Sequence, residues 1–377
     1  MPLRLKVNQK EFNQALQLAA RVVPARPPFP VLGGILLEAD AGAVWISATD
    51  LEVSLRVKFP AEVLHPGRVV LPGHHTAELV RHFPETELEL EEEPNALTVR
   101  YHRGRNEIAT MEPGQFPVFP APEDGPRITL SSDQWLSVLR QVAIACAHDE
   151  VQPMFGGVLW ELGPDRPLSF VATDTHRLAW LRTELVPPVE NQIRAIVPRR
   201  AMEIAARLAQ AAPVPLEVRL GPHQISLEGE DFLLLSRLLE GRYPSYQAVI
   251  PRELGTGVRV EISPLVETLE RAAVLVREEE KNRANIVRLQ ISAEGLTVSG
   301  RSTVGSLLEP VAAEVEGSEG EVFFNVRYLL EGLRALDGER AFIGFSRDFS
   351  AAVLRAEGDE GYVHLILPVV VQGGPVT

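Results

Sequence analysis

Cysteine is all but missing from this chain: its 377 residues contain one, Cys146. A lone cysteine excludes a disulfide framework and any zinc site built from cysteines. It lies in Val142-Ala143-Ile144-Ala145-Cys146, with no basic or helix-terminal group to stabilise a thiolate, so it reads as a small buried hydrophobe. Long apolar runs are missing too; none approaches the roughly 18 residues of a membrane-spanning helix. The opening stretch Met1-Pro2-Leu3-Arg4-Leu5-Lys6-Val7 alternates as a strand does and lacks the apolar segment of a signal peptide. These absences predict a soluble, cytoplasmic protein with no membrane partner. No Walker loop, Gly-x-Ser-x-Gly, His-Glu-x-x-His or dinucleotide fingerprint occurs. A chain of this length without a chemistry-bearing motif reads as a scaffold or binding protein, not an enzyme, and no cofactor or metal is expected.

Positive charge is also in deficit, and the net charge is −14. Taken alone this opposes nucleic-acid binding, because affinity for phosphate comes mainly from clustered Lys and Arg. Lysine is confined to Lys6, Lys10, Lys58 and Lys281, and the remaining cations are arginines. An acidic protein still binds nucleic acid when its cations share one surface and its carboxylates another, so the distribution decides.

What the sequence does have is repetition. With 45% hydrophobic residues over this length, two or three domains of about 100–150 residues are expected, and one pattern runs through three times. In the first pass, Phe12, Ala15, Leu16 and Ala19 share a helix face behind an Asn8/Glu11 capping box. Then come the strand Pro30-Val31-Leu32-Gly33-Gly34-Ile35-Leu36-Leu37-Glu38, the segment Ile46-Ser47-Ala48-Thr49-Asp50, and Leu51, Val53, Leu55 and Val57 alternating as a half-buried strand. About 125 residues on, Ser131/Gln134 box a helix striped by Trp135, Val138, Leu139 and Val142. Phe155-Gly156-Gly157-Val158-Leu159-Trp160-Glu161 and Val171-Ala172-Thr173-Asp174 follow it. The third pass opens on Ser263-Pro264 as cap and first turn, with Leu265, Leu269, Ala272, Ala273 and Val276 as the stripe. Second helices are predicted over 77–83, 201–208 and 328–336, each behind a short apolar strand. Leu88 and Leu90 are expected to pair with Leu97, Val99 and Tyr101 in a hairpin. Pro/Gly-rich joints at 116–126 and 251–257 give an α+β chain of three tandem domains, 1–124, 125–253 and 254–371, each with two helices and antiparallel sheets, and a tail at 372–377.

Among candidate sites, Thr173-Asp174-Thr175-His176-Arg177-Leu178 is the densest polar cluster beside a core strand. Asp174 and His176 could be an acid/base pair or metal ligands; against this, the first repeat has Thr49-Asp50-Leu51-Glu52 there, which suits a turn. His74, His75 and His82 read as solvated helix-end residues, and Glu91–Glu93 and Glu278–Glu280 as loop charge. Arginines recur on the helices or at their ends: Arg21, Arg26, Arg81, Arg140, Arg199, Arg200, Arg207, Arg271, Arg277, Arg327 and Arg334. If those helices face one surface, it is basic and suits sequence-independent phosphate contacts.

Ala172-Thr173-Asp174-Thr175-His176-Arg177-Leu178-Ala179 resembles the second-domain signature of the bacterial sliding clamp, the DNA polymerase III beta subunit. So do Ile196-Val197-Pro198-Arg199-Arg200, the segment from Glu240 to Pro251, and Phe324-Asn325-Val326-Arg327-Tyr328-Leu329-Leu330, while Ala25-Arg26-Pro27-Pro28-Phe29-Pro30-Val31-Leu32 resembles the first-domain counterpart. The matches run collinearly to Pro368. The resemblance implies a head-to-tail homodimer closing a ring of DNA-clamp domains around double-stranded DNA, without sequence preference. It implies a dimer interface at Arg103 and Arg105 against Val274 and Leu275, although Arg301–Ser306 lacks the acidic residues such clamps often place opposite those arginines. It implies DNA contacts at Arg26, Arg81, His148, Met154, Arg199 and Arg200. It also implies a pocket for short linear motifs of the DNA polymerase III catalytic subunit, the clamp loader and repair proteins. Phe155, Thr173, Thr175, His176, Arg177, Leu178, Pro244, Val249, Asn325 and Tyr328 would form it, with Leu365, Ile366, Leu367, Pro368 and Val369 from the last strand. Thr175 stands where Gly is common, Ala248 where Arg is common, and the terminus is not basic-apolar. Two alternatives stay open: a clamp paralogue with a restricted partner set, and a metal or acid–base enzyme using Asp174 and His176.

Overall fold

The computed structural model describes residues 2–40, 43–148, 152–164, 166–184, 189–211, 215–276 and 285–370. Six α-helices occur among them: α1 (Gln9–Ala20), α2 (Gly73–Arg81), α3 (Ser132–Ser137), α4 (Arg199–Ala211), α5 (Ile262–Val276) and α6 (Val326–Arg334). The three tandem copies are present as two helices and antiparallel strands each, and the strands that open them begin at Arg4, Arg127 and Thr256. Contacts nevertheless divide the chain into two compact units, residues 1–135 with 200–238, and residues 136–199 with 239–377. The middle copy contributes to both.

In the first unit a five-stranded sheet runs Ala61–His65, Arg4–Asn8, Glu87–Glu93, Ala96–Tyr101, Gly104–Ala109. Leu5 and Leu90 are opposite and fully buried, as are Leu90 and Val99, so the alternation read in the sequence sets the register. An eight-stranded sheet then joins two repeats. Its order is Arg127–Leu130, Leu216–Leu220, Gln224–Glu228, Phe232–Arg237, Val53–Phe59, Val44–Thr49, Gly34–Ala39, Gly67–Pro72. The seam between the copies is Phe232–Arg237 against Val53–Phe59, with Leu234 facing Leu55.

The second unit repeats this device. Its nine-stranded sheet runs Ile193–Pro198, Gly157–Gly163, Arg166–Thr173, Arg177–Arg182, Tyr362–Ile366, Ala352–Ala356, Arg340–Phe345, Thr256–Glu261, Ala313–Gly317, and the seam places Ala179 opposite His364. A four-stranded sheet completes the unit: Gly305–Val311, Gly295–Ser302, Ile286–Ser292, Gly320–Asn325.

Two helix starts follow the caps read in the sequence. Asn8 accepts from the Lys10 amide at 2.9 Å, and Ser131 and Gln134 bond reciprocally, Gln134 Oε1 accepting from the Ser131 amide at 2.8 Å and Ser131 Oγ from the Gln134 amide at 3.2 Å. Two helices differ from the sequence expectation. The stripe of Trp135, Val138 and Val142 is buried, but α3 stops at Ser137 and continues as a π turn over Val138–Val142 and a 3-10 turn over Ala143–Ala145. Helix α5 starts at Ile262, so Ser263 lies inside the first turn and its hydroxyl bonds Glu267. Gly332 interrupts the leucine-rich α6 because a Cβ there would stand 2.7 Å from the buried His364 ring.

Candidate binding site

The polar cluster at Asp174 folds into a five-residue turn between two strands of the nine-stranded sheet. Thr173 Oγ1 donates to the Arg177 carbonyl at 2.6 Å and accepts from the Thr175 amide at 3.1 Å. Asp174 Oδ1 accepts from the amides of His176 and Arg177, both at 3.0 Å, while Oδ2 takes Arg177 Nε at 3.0 Å. Thr175 is thereby held at φ 75°, where a β-branched residue is costly, about 1–2 kcal/mol. That turn engages both oxygens of Asp174, and the acid/base pairing with His176 is not formed: His176 is exposed. Among the described residues no group of three or more His, Cys, Asp or Glu is arranged to hold a metal ion.

Beneath the turn Arg177 is 1% exposed. A buried guanidinium needs its donors satisfied, and here they are: Nη1 pairs with Glu331, Nη2 donates to the Ile144 carbonyl at 2.6 Å, and the plane lies 4.4 Å from the Tyr328 ring centroid. Burial alone would raise the Glu331 carboxyl, but hydrogen bonds from Arg177 and from Arg327 (2.7 Å) outweigh it and hold it below the usual range. Burial, and next the charge of Asp174, push the Tyr328 phenol up. Asn325 caps α6 through the Arg327 amide at 3.0 Å.

Around this polar base an apolar cluster includes Phe155, Leu159, Leu178, Ile196, Tyr243 and Leu365. Phe155 and Tyr243 meet edge-on with centroids 5.7 Å apart. Pro244, Val249 and Leu367 are exposed beside it, Pro368 and Val369 half-buried, and Ile366 is fully covered. The Leu367 amide donates to the His176 carbonyl at 2.8 Å and ties the last strand to the turn. Of the residues singled out in the sequence, Phe155, Leu178 and Leu365 thus pack in one apolar cluster and Arg177 with Tyr328 in the polar base, while Arg177 and Ile366 are themselves covered. The sequence did not point to Glu331, although its i,i+4 spacing from Arg327 is a helix-face signal, nor to Tyr243 and Tyr246. The same cluster borders a hollow of about 610 Å³ lined by Glu161, Arg166, Trp180, Arg182, Tyr246 and Gln247.

The other candidates are placed as follows. Arg26 is exposed, Arg81 pairs with Glu78 at 2.6 Å, and His148 Nε2 lies 3.1 Å from Arg199 Nη1. Arg200 pairs with Asp50 and donates to the carbonyls of Arg21 and Val22 at 2.9 and 2.8 Å. Met154 is half-buried and packs on the apolar cluster. Arg140, Arg271, Arg327 and Arg334 have carboxylate partners and read as surface pairs. Arg21 is different: burial lowers its pKa, and the neighbouring charge of Arg207 adds to this against the opposing charge of Glu203. Arg277 and Glu278–Glu280 lie outside the described residues, as does the tail at 372–377. Arg103 and Arg105 are exposed, and Arg105 already binds Glu93 and Glu107 at 3.3 and 2.9 Å; Val274 is 76% exposed and Leu275 half-buried.

Comparison with known proteins gives three consecutive family matches: the N-terminal domain of the DNA polymerase III beta subunit over residues 3–120, its central domain over 129–245 and its C-terminal domain over 247–370. The beta sliding clamp of Synechococcus elongatus is 33% identical, covering 97% of this chain and 99% of that protein, and the one from Streptomyces coelicolor 32%, covering 98% and 100%. The sliding clamp structure from Bacillus subtilis superposes with a TM-score of 0.91 at 24% identity, and the DNA polymerase III beta subunit from Pseudomonas aeruginosa with 0.89 at 26%, each covering 98% of this chain and 100% of the other. No helix among the described residues is long and apolar enough to cross a membrane. The chain belongs to the family of the DNA polymerase III beta subunit, the bacterial DNA sliding clamps, which are non-catalytic processivity factors.

Proposed function

We propose that this sliding clamp works in the cytoplasm as a head-to-tail homodimer, a closed ring around duplex DNA, with three domains per chain bounded near 124/125 and 253/254. Strand register carries the reading. Each repeat offers one strand to its successor at a seam. At the two internal seams Leu55 faces Leu234 and Ala179 faces His364. Two edge strands hold the same repeat positions without such a partner: Gly305–Val311 in the third copy and Gly104–Ala109 in the first. Leu307 stands across from Gly300 as Leu55 does from Ala48 and Ala179 from Ala172; Asn106 stands across from Val99 as Leu234 does from Leu227 and His364 from Leu354. A third seam of the same kind puts Leu307 opposite Asn106 of the partner subunit, Leu308 opposite the partner's Arg105 and Gly305 opposite the partner's Ile108. Two such seams close a ring and pair these two edge strands of each subunit.

That register also answers the missing acids of Arg301–Ser306. Arg105 is neutralised within its own chain, so the interface rests on strand hydrogen bonds and on apolar side chains. Val274, Val304 and Leu308 are 76, 73 and 73% exposed in the single chain, which fits such a role. Arg26, Arg81, Arg199, Arg200, His148 and Met154 belong to the DNA-facing side in this reading. The slot over Phe155, Leu178 and Leu365 receives extended peptides of the polymerase III catalytic subunit, the clamp loader and repair proteins. The ring is tested by loading it onto nicked circular plasmid and then linearising: retention on the circle and loss from the linear form are expected, and equal loss from both contradicts topological binding.

A further inference from the structure

The first unit carries an apolar hollow of about 380 Å³ lined by Phe29, Pro30, Val31, Leu32, Leu51, Gln115 and Pro117. These are the repeat counterparts of the peptide slot. Strand pairing sets Leu36 and Val70 at the positions of Leu159 and Ile196, and the Phe116-Pro117 step answers to Tyr243-Pro244; Leu36, Val70 and Phe116 cluster together with Val31 and Met111. Leu32 is buried in the 3-10 turn Pro30–Gly33 as Phe155 is in Pro153–Gly156. The rim turn repeats the same four backbone-directed hydrogen bonds. Thr49 Oγ1 donates to the Val53 carbonyl at 3.1 Å and accepts from the Leu51 amide at 3.0 Å, and Asp50 Oδ1 accepts from the amides of Glu52 and Val53 at 3.0 and 2.7 Å. Leu51 takes the place of Thr175 with φ 77°.

Two features of this copy lack a packing explanation. Leu51 is 47% exposed while held in a backbone conformation that suits glycine, and Phe29 is 61% exposed beside it. An exposed leucine in a strained turn next to an exposed phenylalanine is an apolar surface kept open. The copy also loses two polar elements of the slot: Val53 and Ala201 stand at the positions of Arg177 and Tyr328, while Glu52 replaces His176 outside the hollow, and Gln115 is the sole amide or charged side chain in its lining.

We propose that this hollow is a second docking site for the same linear peptides, taking one bulky aliphatic or aromatic side chain of a motif by apolar contact alone. The proposal rests on the reading of the first slot as a peptide site. With an apolar floor and few polar anchors the second site is weaker, its half-saturating peptide concentration at least about tenfold higher, and it suits a partner that already holds the ring through the first slot.

The test uses the full-length dimer and a Gln-x-x-Leu-x-Phe peptide whose phenylalanine is replaced by photoreactive benzoylphenylalanine, with crosslinks mapped by mass spectrometry across a peptide titration. Early crosslinks near Leu178 and Val249, followed at higher concentration by crosslinks to Phe29, Val31 or Leu51, support the proposal. Phe29→Ala with Leu51→Asp should remove the second set alone, and Val249→Asp with Leu367→Asp the first set alone. Crosslinks confined to the first slot at all concentrations overturn this inference and leave the proposed slot intact; crosslinks confined to the second overturn the slot instead; none at either overturns both. A fall in solution mass of the Phe29→Ala/Leu51→Asp protein would mean that a second copy of the chain covers the hollow, which also overturns the proposal.

Discussion

At the seam of the first two repeats Thr49 and Asp50 fold the same turn that Thr173 and Asp174 fold at the next, yet the guanidinium on the aspartate arrives from different places. In the first unit it is Arg200, 43% exposed at its side chain, reaching from the start of α4. In the second it is Arg177, from the turn itself, buried at 1% and bound also to Glu331 and a carbonyl. One backbone device thus carries a solvated clip in one place and a buried ion network in the other. The difference teaches that the repeat specifies the turn, while local burial determines how much a charge there contributes.

Arg177→Ala should break the comparison most severely. It leaves Glu331 and Asp174 without a buried partner and should cost about 3–5 kcal/mol, read as a loss in the chemical-denaturation midpoint of the second unit. Arg200→Ala removes a guanidinium 43% exposed from Asp50 and should cost about 1 kcal/mol. Equal effects would contradict the burial argument.

Acid should separate the two seams next. His364, fully buried against Tyr362 Oη at 3.0 Å, is pushed down to about 3 by burial and then by the charge of Arg177, whereas Leu234 holds its place in the first unit. A histidine depressed in the folded state contributes stability that is complete above the ordinary value of 6.5 and declines as pH falls from there toward about 3. At pH 5 the loss relative to pH 7.5 should be roughly 2 kcal/mol, and His364→Leu should flatten it in urea titrations at the two pH values. Glu331, also held down, adds its loss at lower pH, where its carboxylate takes a proton. An unchanged pH slope in the histidine variant would contradict this assignment.

The smallest effect sharpens the likeness of the turns. Leu51→Gly and Thr175→Gly should each raise the melting temperature slightly, by about 1 kcal/mol of relieved strain, and more at the β-branched threonine. A fall at both positions would mean that the side chains contribute more than the backbone costs.

Much of the fold was legible because local rules and tertiary structure agree. The Ser131/Gln134 box, the Leu88/Leu90 hairpin and the Gly-Gly strands are dictated by near neighbours. Leu51 was misleading: its spacing from Val53 and Leu55 fits a strand, but the Thr49–Asp50 hydrogen bonds turn the chain there and expose it. The π turn after Ser137 was illegible, since an apolar stripe does not distinguish i+4 from i+5 bonding. In the site, Asp174 and Arg177 stood out as polar residues beside a strand, but Glu331 reaches them across 154 residues, and no local spacing encodes that meeting. The seams were likewise hidden, because pairing between Leu55 and Leu234 depends on where whole repeats come to rest.

The dimeric ring is tested most directly by solution mass from light scattering, with Leu308→Lys as companion. The wild type should give twice the 41.5 kDa chain mass. Leu308→Lys, which alters a side chain 73% exposed in the single chain, should shift dissociation about 30-fold or more toward monomer by removing roughly 2 kcal/mol of leucine burial and setting like charge opposite the partner's Arg105. A stable wild-type monomer, or a variant as dimeric as the wild type, would contradict the third seam.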